Sequence, residues 1–148
     1  MTETLLLTAE HIRDVGIIEK ECFSEPWSEG SLALLCMGDN FGIVVVDEVR
    51  VVAYGGMTCV LDEGSVTNVA VLPTHRRMGL GRKVVRALAD EAERRGIKNI
   101  FLEVRESNVA AETLYLSEGF VCCGVRKGFY RHPSEHAIQM IKNLTDKK

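Results

Sequence analysis

The residues with the clearest chemical potential form a turn, Arg76-Arg77-Met78-Gly79-Leu80-Gly81, which opens a predicted helix. The first amide N–H groups of a helix have no partner within it, and the helix dipole adds partial positive charge there. The two glycines let the backbone approach a ligand closely, and the two arginines add full charge. The turn therefore predicts a cradle for phosphate, most naturally for a pyrophosphate. A helix start with a loose glycine turn and solvated arginines is the structural alternative.

Two other phosphate-binding motifs fit less well. The P-loop pattern, G-x-x-x-x-G-K-[ST], is absent, which argues against a nucleotide triphosphatase. The dinucleotide fingerprint fits in part, because Gly79 and Gly81 open a helix and Glu103 ends the next strand, about where a ribose-binding acid would lie. Val84, however, occupies the third glycine position, and the first glycine lies well past the strand. Adjacent arginines are also not part of that pattern.

Two predicted elements carry side chains suited to proton transfer. Glu103 ends a predicted core strand, where a carboxylate has little structural reason to be unless it is paired. A salt bridge with Arg105 or Arg77 is its structural alternative. Tyr115 lies two helical turns beyond Asn108, so the spacing predicts that both side chains share one face of a helix. For Tyr115 the alternative is a core tyrosine with its hydroxyl satisfied.

These residues are positioned by a strand, a helix, a second strand and a second helix. The apolar, β-branched run at 66–72 predicts a buried strand, which Pro73 stops. Apolar residues then recur at helical spacing from Leu80 onward, and Gly96 predicts a left-handed cap. Alternation over 97–104 predicts the next strand. Because the helix between them acts as a crossover, we expect the two strands to be parallel.

The remaining elements complete a mixed α/β sheet flanked by helices. The predicted segments are a strand at 4–8, helices at 9–23 and 28–38 with Ser28 as N-cap, strands at 41–46 and 49–60, a turn at 61–65, and closing strands at 120–126 and 137–141. A polar segment at 127–136 joins the closing strands. Gly55-Gly56 predicts a bend or bulge in its strand. No linker divides the chain, so we expect one domain over residues 1–148.

Composition narrows the class of protein. The 148 residues are 46% hydrophobic, which suits a single sizeable core, and the net charge of −3 gives no basic surface for nucleic acid. No apolar run is long enough to span a membrane, and the first residues do not resemble a signal peptide, so we expect a cytoplasmic protein. Five cysteines without C-x-x-C spacing predict neither a zinc site nor a disulfide framework, and no metal. We expect them to be buried, with a relay through Cys122 or Cys123 as the alternative.

The turn resembles the signature of the GNAT superfamily of acyl-CoA-dependent N-acetyltransferases, [Q/R]-x-x-G-x-[G/A]. The segments 22–28, 68–71, 102–108 and 114–120 resemble one of its subfamilies, the RimI-type ribosomal-protein alanine N-acetyltransferases. The resemblance covers nearly the whole chain. It implies the GNAT fold, a mixed and mostly antiparallel central sheet flanked by helices, with a splayed strand pair that holds acetyl-CoA.

The resemblance also implies roles for individual residues. The pantetheine arm would pair with backbone groups of Val69, Ala70 and Val71 and with Asn108, and the pyrophosphate would bind to Arg76, Arg77, Met78, Gly79, Leu80, Gly81 and Arg82. Glu103 would be the general base, and Tyr115 would protonate the leaving thiolate. Trp27, Glu63 and Tyr130 would lie on the side of the acceptor.

The implied reaction transfers acetyl from acetyl-CoA to the N-terminal alanine of the eighteenth protein of the small ribosomal subunit. With α-amino pKa values of about 7.7–8.0 and lysine at about 10.4, roughly one α-amine in ten is neutral at pH 7, against a few lysines in ten thousand. A carboxylate acting directly or through a water is therefore a plausible base for a protein N-terminus. Phe129 and His136 depart from the subfamily pattern. Another protein N-terminus, a small amine, or CoA binding without catalysis thus stay open.

Overall fold

The computed structural model describes residues 1–131 and 134–145, which form a seven-stranded sheet with four α-helices. The strands are β1 (Glu3–Leu6), β2 (Phe41–Val46), β3 (Val51–Val60), β4 (Glu63–Val71), β5 (Asn99–Arg105), β6 (Val121–Tyr130) and β7 (Glu135–Asn143). The helices are α1 (Ile12–Cys22), α2 (Glu29–Leu32), α3 (Leu80–Arg94) and α4 (Val109–Ser117). Short 3-10 turns lie at Ala9–His11, Ala33–Cys36 and Pro73–His75.

The sheet has the order β1-β2-β3-β4-β5-β7-β6. Only β4 and β5 are parallel, and α3 provides the crossover between them, whereas every other neighbouring pair in the described chain is antiparallel. A parallel pair needs such a long connection, while the antiparallel pairs can use short turns. The predicted sheet, mixed and mostly antiparallel, is confirmed.

Helices cover both faces of the sheet at its centre. A Cβ on Gly55 would meet Val84 and Leu88 of α3, and one on Gly56 would meet Leu35 in the turn after α2. Neither glycine has room for a side chain, so the helices pack directly on the strand backbone. The predicted irregularity is present here, because two residues of β4, between its pairs with Gly55 and Met57, face the single residue Gly56.

Several strand boundaries differ from the sequence prediction. β4 begins at Glu63, so the turn predicted at 61–65 contains only Leu61 and Asp62. The polar segment at 127–136 is largely strand, because β6 runs to Tyr130 and β7 begins at Glu135. Beyond the pair of Arg126 with Ala137, a register shift precedes the pair of Tyr130 with Glu135, so a regular alternation of apolar residues does not mark this part of the strands. Residues 132 and 133 of that segment lie outside the described part.

The expectation of buried cysteines is wrong for three of the five. Cys36, Cys122 and Cys123 are exposed, while Cys22 and Cys59 are partly buried. The first of the exposed three follows the short α2, and the other two lie on β6, which has a partner strand on one side only. Within residues 1–131 and 134–145, no helix has the length and apolar character needed to cross a membrane.

Candidate active site

The sheet opens between its two parallel strands. β4 and β5 pair only over residues 63–65 and 99–101. β4 then continues to Val71 and stays bonded to β3, while β5 continues to Arg105 beside β7. Within the described chain, no further pair joins β4 to β5, so one edge of β4 lacks a strand partner from residue 66 onward. This is the splayed strand pair that the resemblance implied.

A cavity of about 460 Å³ lies in the splay. Its size falls in the range of roughly 300–1,000 Å³ that is usual for small-ligand sites. Its walls come from β4 (Val66, Thr67, Asn68, Val69), β5 (Leu102, Glu103, Val104, Arg105), the α4 region (Asn108, Ala111, Tyr115), the end of β6 (Tyr130) and the segment from the end of α1 (Cys22, Phe23, Ser24, Glu25, Trp27). The structure thus brings both predicted proton-transfer residues to one cavity.

Glu103 is held by side chains from the next two strands of the sheet, β7 and β6. Gln139 of β7 lies directly beside it and donates from Nε2 to Oε2 at 3.2 Å. Arg126 of β6 places Nε 3.1 Å from the same oxygen. Its paired cation is therefore Arg126, rather than the predicted Arg105 or Arg77. Because both contacts fall on Oε2, the second carboxylate oxygen takes part in neither.

Tyr115 is a buried residue whose hydroxyl makes no hydrogen bond within the described chain. Its ring packs edge-on against Phe120, with 5.7 Å between the ring centroids. Burial, with a smaller contribution from Tyr130, raises the pKa of Tyr115 to about 12, so its hydroxyl keeps its proton at ordinary pH. Asn108 caps the same helix by accepting the Ala111 N–H at 3.1 Å. Among the described residues, its amide nitrogen has no hydrogen-bond acceptor.

The predicted phosphate turn has a tightly curled backbone. Arg77 and Gly79 both have positive φ, at 65° and 77°. Gly79 is the N-cap of α3, and no side chain accepts from the first N–H groups of that helix. These donors therefore converge at an exposed surface, together with the Arg77 guanidinium, which forms no ion pair within the described residues. Such an arrangement suits an anion.

Two arginines predicted to bind the pyrophosphate make other contacts. Arg76 donates from Nε to the Val71 carbonyl at 3.2 Å, and its Nη2 lies 3.5 Å from Cys22 Sγ. Arg82 donates from Nη1 to Glu118 at 2.6 Å. Arg76 therefore secures the end of β4, and Arg82 ties α3 to the end of α4. Of the groups predicted to bind the pyrophosphate, the backbone of the turn and Arg77 are those without such contacts among the described residues.

The residues expected on the acceptor side are only partly brought together. Trp27 and Tyr130 both line the cavity, and the Arg105 guanidinium stacks 4.5 Å from the centre of the Tyr130 ring. Glu25 lines it as well. Glu63 does not, because it begins β4 at the end where β4 and β5 are paired, and its side chain is exposed. Its expected place on the side of the acceptor stays a prediction, and its side chain lies outside this cavity.

Sequence reasoning missed a buried network behind the cavity. Glu19 accepts hydrogen bonds from the Tyr54 hydroxyl, from Asn68 Nδ2 at 3.0 Å, and from the backbone N–H of Trp27 at 2.8 Å. Burial and the neighbouring carboxylate raise the pKa of Tyr54. One signal was available, because Glu19 follows Val15 by four residues and so falls on the apolar face of its helix.

Comparison with known proteins agrees with this geometry. The profile of the "Acetyltransferase (GNAT) family" matches residues 12–120. The [ribosomal protein bS18]-alanine N-acetyltransferase of Escherichia coli is 37% identical over 113 residues, which are 76% of each chain. The crystal structure of the ribosomal-protein-S18-alanine N-acetyltransferase from that organism superposes with a TM-score of 0.92 at 32% identity, covering 100% of this chain and 97% of the other. Arabidopsis thaliana NAA60 in complex with acetyl-CoA shares the fold, with a TM-score of 0.87 at 12% identity over 98% and 99% of the chains.

Proposed function

The chain belongs to the GNAT acetyltransferase family, and on that premise we propose that it transfers the acetyl group of acetyl-CoA to the N-terminal alanine of ribosomal protein bS18. The observation that carries this proposal is the cavity in the splay, where Glu103 and Tyr115 line the same space from β5 and α4. The identity of the proposed acceptor comes from the relatives, because the Escherichia coli enzyme is named for the alanine of this ribosomal protein. A ribosomal substrate would place the reaction in the cytoplasm.

Acetyl-CoA would lie along the open edge of β4. The extended pantetheine arm can bond to strand backbone at residues 69–71, as a neighbouring strand would. The Val71 carbonyl already accepts from Arg76, so the groups available for this pairing lie closer to Val69. The N-terminus of α3 and Arg77 would hold the pyrophosphate, and the amide nitrogen of Asn108 would reach the arm from the other wall.

Glu103 is the proposed general base. The amine nitrogen attacks the thioester carbon while Glu103 takes a proton, directly or through a water, and the C–S bond then breaks. Two donors on Oε2 hold the carboxylate in place, which leaves Oε1 to receive the proton. Because an α-amine has a pKa of only about 7.7–8.0, roughly one in ten is already neutral at pH 7, so Glu103 has to take a proton only as the new N–C bond forms.

Tyr115 is the proposed donor of a proton to the CoA thiolate. In bulk water the transfer from a phenol to a thiolate with pKa about 8.5 is uphill by roughly 2 kcal/mol, and burial makes Tyr115 a still weaker acid. The same burial destabilises a thiolate that forms beside it, so the cavity penalises both anions. The tyrosine therefore arrives at the reaction fully protonated.

The proposal can be tested by mass spectrometry of acetyl transfer from acetyl-CoA to three peptides. They are the bS18 N-terminus, the same peptide with a blocked α-amine, and a peptide whose only amine is a lysine side chain. We expect product only with the free bS18 N-terminus. Product on the blocked peptide would contradict α-amine specificity. Binding of CoA without any product would contradict the acceptor and retain the family.

A further inference from the structure

The only carboxylate with no exposed surface in the described chain belongs to Glu19. It forms no ion pair with any described lysine or arginine, and it accepts from three donors instead. Trp27 N–H binds Oε1, while the Tyr54 hydroxyl and Asn68 Nδ2 bind Oε2. Glu91, the other buried acidic residue, is paired with Arg94 and Arg95 in the usual way.

The three donors come from different parts of the fold, and two of them border the active-site cavity. Tyr54 is fully buried in β3. Asn68 lies in the irregular part of β4, and Trp27 lies in the irregular segment between α1 and α2, and both line the cavity. Glu19 therefore connects the β4 side of the cavity, at Asn68, to the wall formed by Trp27. Within the described chain, no other side chain bonds to the Trp27 N–H.

This arrangement is costly for stability alone. A buried carboxylate loses its hydration, and an apolar residue of similar size would often be as stable or more so. Three aligned donors offset much of that loss, but only while the wall, β3 and β4 keep their relative positions. A carboxylate satisfied in this way specifies one geometry, whereas an apolar contact tolerates small shifts.

We propose that Glu19 is a positioning residue for acceptor binding. By holding the Trp27 backbone and the Asn68 side chain at fixed positions, it sets the width of the cavity on the side where the peptide enters. It touches neither the thioester nor the amine. This inference rests on the proposed function, since the peptide is the ligand whose binding it controls.

The test compares Glu19→Gln with Glu91→Gln, which neutralises the other buried glutamate far from the cavity. In Glu19→Gln an amide NH2 group replaces one of the two carboxylate oxygens. It then faces a group that donates to Glu19 in the wild type, so that a hydrogen bond is lost. We expect the acceptor KM to rise about tenfold, as for the loss of one hydrogen bond to a charged group, with kcat and the Kd of CoA little changed. Glu91→Gln should leave all three values as they are.

A second readout does not depend on activity. Trp27 is the only tryptophan, so its fluorescence and its quenching by acrylamide report on this wall alone. We expect greater quenching in Glu19→Gln and none beyond the wild type in Glu91→Gln. If Glu19→Gln does not fold, Tyr54→Phe removes a single donor and should shift both readouts in the same direction by less.

The outcomes separate the two proposals. If wild-type protein does not acetylate the bS18 peptide, the acceptor assignment fails, and the quenching experiment still tests whether Glu19 holds the wall. If Glu19→Gln lowers kcat at unchanged KM, or leaves KM and quenching unchanged, the positioning role is wrong. Equal changes in Glu91→Gln would show a general loss of stability and would also overturn it.

Discussion

The two sides of the cavity are built by different means. The proposed donor side uses backbone groups from one continuous stretch, from the open edge of β4 through the turn at Arg77 and Gly79 to α3. The proposed acceptor side is held by side chains distant in sequence, since Glu19 reaches Tyr54 and Asn68 across 35 and 49 residues. A site built from backbone groups depends on the conformation of the chain, so many sequences can form it. A site built from side chains depends on particular residues, so substitutions can change which acceptor binds while acetyl-CoA stays the donor.

The largest effect is expected where the two sides meet. Glu103→Gln removes the proposed base and should lower kcat about 100-fold, within the usual range for general base catalysis. Because Glu103 is not among the residues proposed to hold CoA, the Kd of CoA should not change. Steady-state kinetics with calorimetry checks both values, and Glu106→Gln, at an exposed position nearby, is the matched control. A normal rate in Glu103→Gln would remove it from the mechanism.

A smaller loss is expected at the other proton-transfer residue. Tyr115→Phe should reduce kcat roughly 30-fold, less than is typical of a general acid, because a thiol with pKa about 8.5 leaves readily without help. Since the pKa of Tyr115 is raised to about 12, the wild-type rate should show no alkaline decline from this residue up to pH 10. A decline below pH 10 that disappears in Tyr115→Phe would contradict this assignment of its pKa.

A substitution that changes the backbone conformation of the turn should weaken the binding of CoA. Gly79→Val disfavours the positive φ of the turn, so the amide groups no longer converge, and we expect CoA to bind about tenfold more weakly. Gly96→Val is a close control, because Gly96 also has positive φ and an open surround but lies at the other end of α3. Calorimetric titration should find weaker binding only in Gly79→Val. Equal losses would mean that strain alone explains the result.

The smallest effect concerns the support of the donor side. Burial raises the pKa of Glu118, but Arg86 and Arg82 lower it further, so the net pKa lies below its ordinary value. The carboxylate thus stabilises the fold above the unfolded pKa of about 4.3, and this is lost as pH falls through the folded pKa. Glu118→Gln should lower the free energy of unfolding by about 1 kcal/mol at neutral pH.

Urea denaturation at pH 7 and again in strong acid measures that difference, which should vanish at the lower pH. Glu112→Gln, in the helix α4 that Glu118 follows and without an ion pair among the described residues, should show no change at either pH. A loss in Glu118→Gln that persists in strong acid would show that packing, rather than charge, is responsible. In that case the ion pair between Arg82 and Glu118 would not stabilise the contact between α3 and the end of α4.

The sequence predicted those features that depend on local pattern. The curled turn, the crossover helix with its left-handed Gly96, and the shared face of Asn108 and Tyr115 all follow from spacing within one or two elements. The open edge of β4 came from family resemblance, since no residue pattern shows that two strands separate. Composition and periodicity were therefore sufficient for most of the sheet and for the turn that opens α3, but not for the open edge of β4.

The features that sequence missed depend on contacts across the fold. Arg126 pairs with Glu103 because β6 lies beyond β7 in the sheet, an order that no local pattern reveals. Arg82 turns to Glu118, although its position suits a phosphate. Glu63 lies at the closed end of β4, because the point where the strands separate decides which residues reach the cavity.

Under the proposed function, the separation of β4 from β5 also gives acetyl-CoA an effect on the stability of the fold. Amide protons on an unpaired strand edge exchange with solvent quickly, and a ligand that bonds to that edge protects them. Acetyl-CoA would then act as the missing length of strand, and its occupancy would raise the melting temperature with the logarithm of its concentration. The rate of amide hydrogen exchange at residues 66–71 would thus fall as the concentration of acetyl-CoA in the cell rises. The stability of the folded protein would then depend on the supply of its substrate.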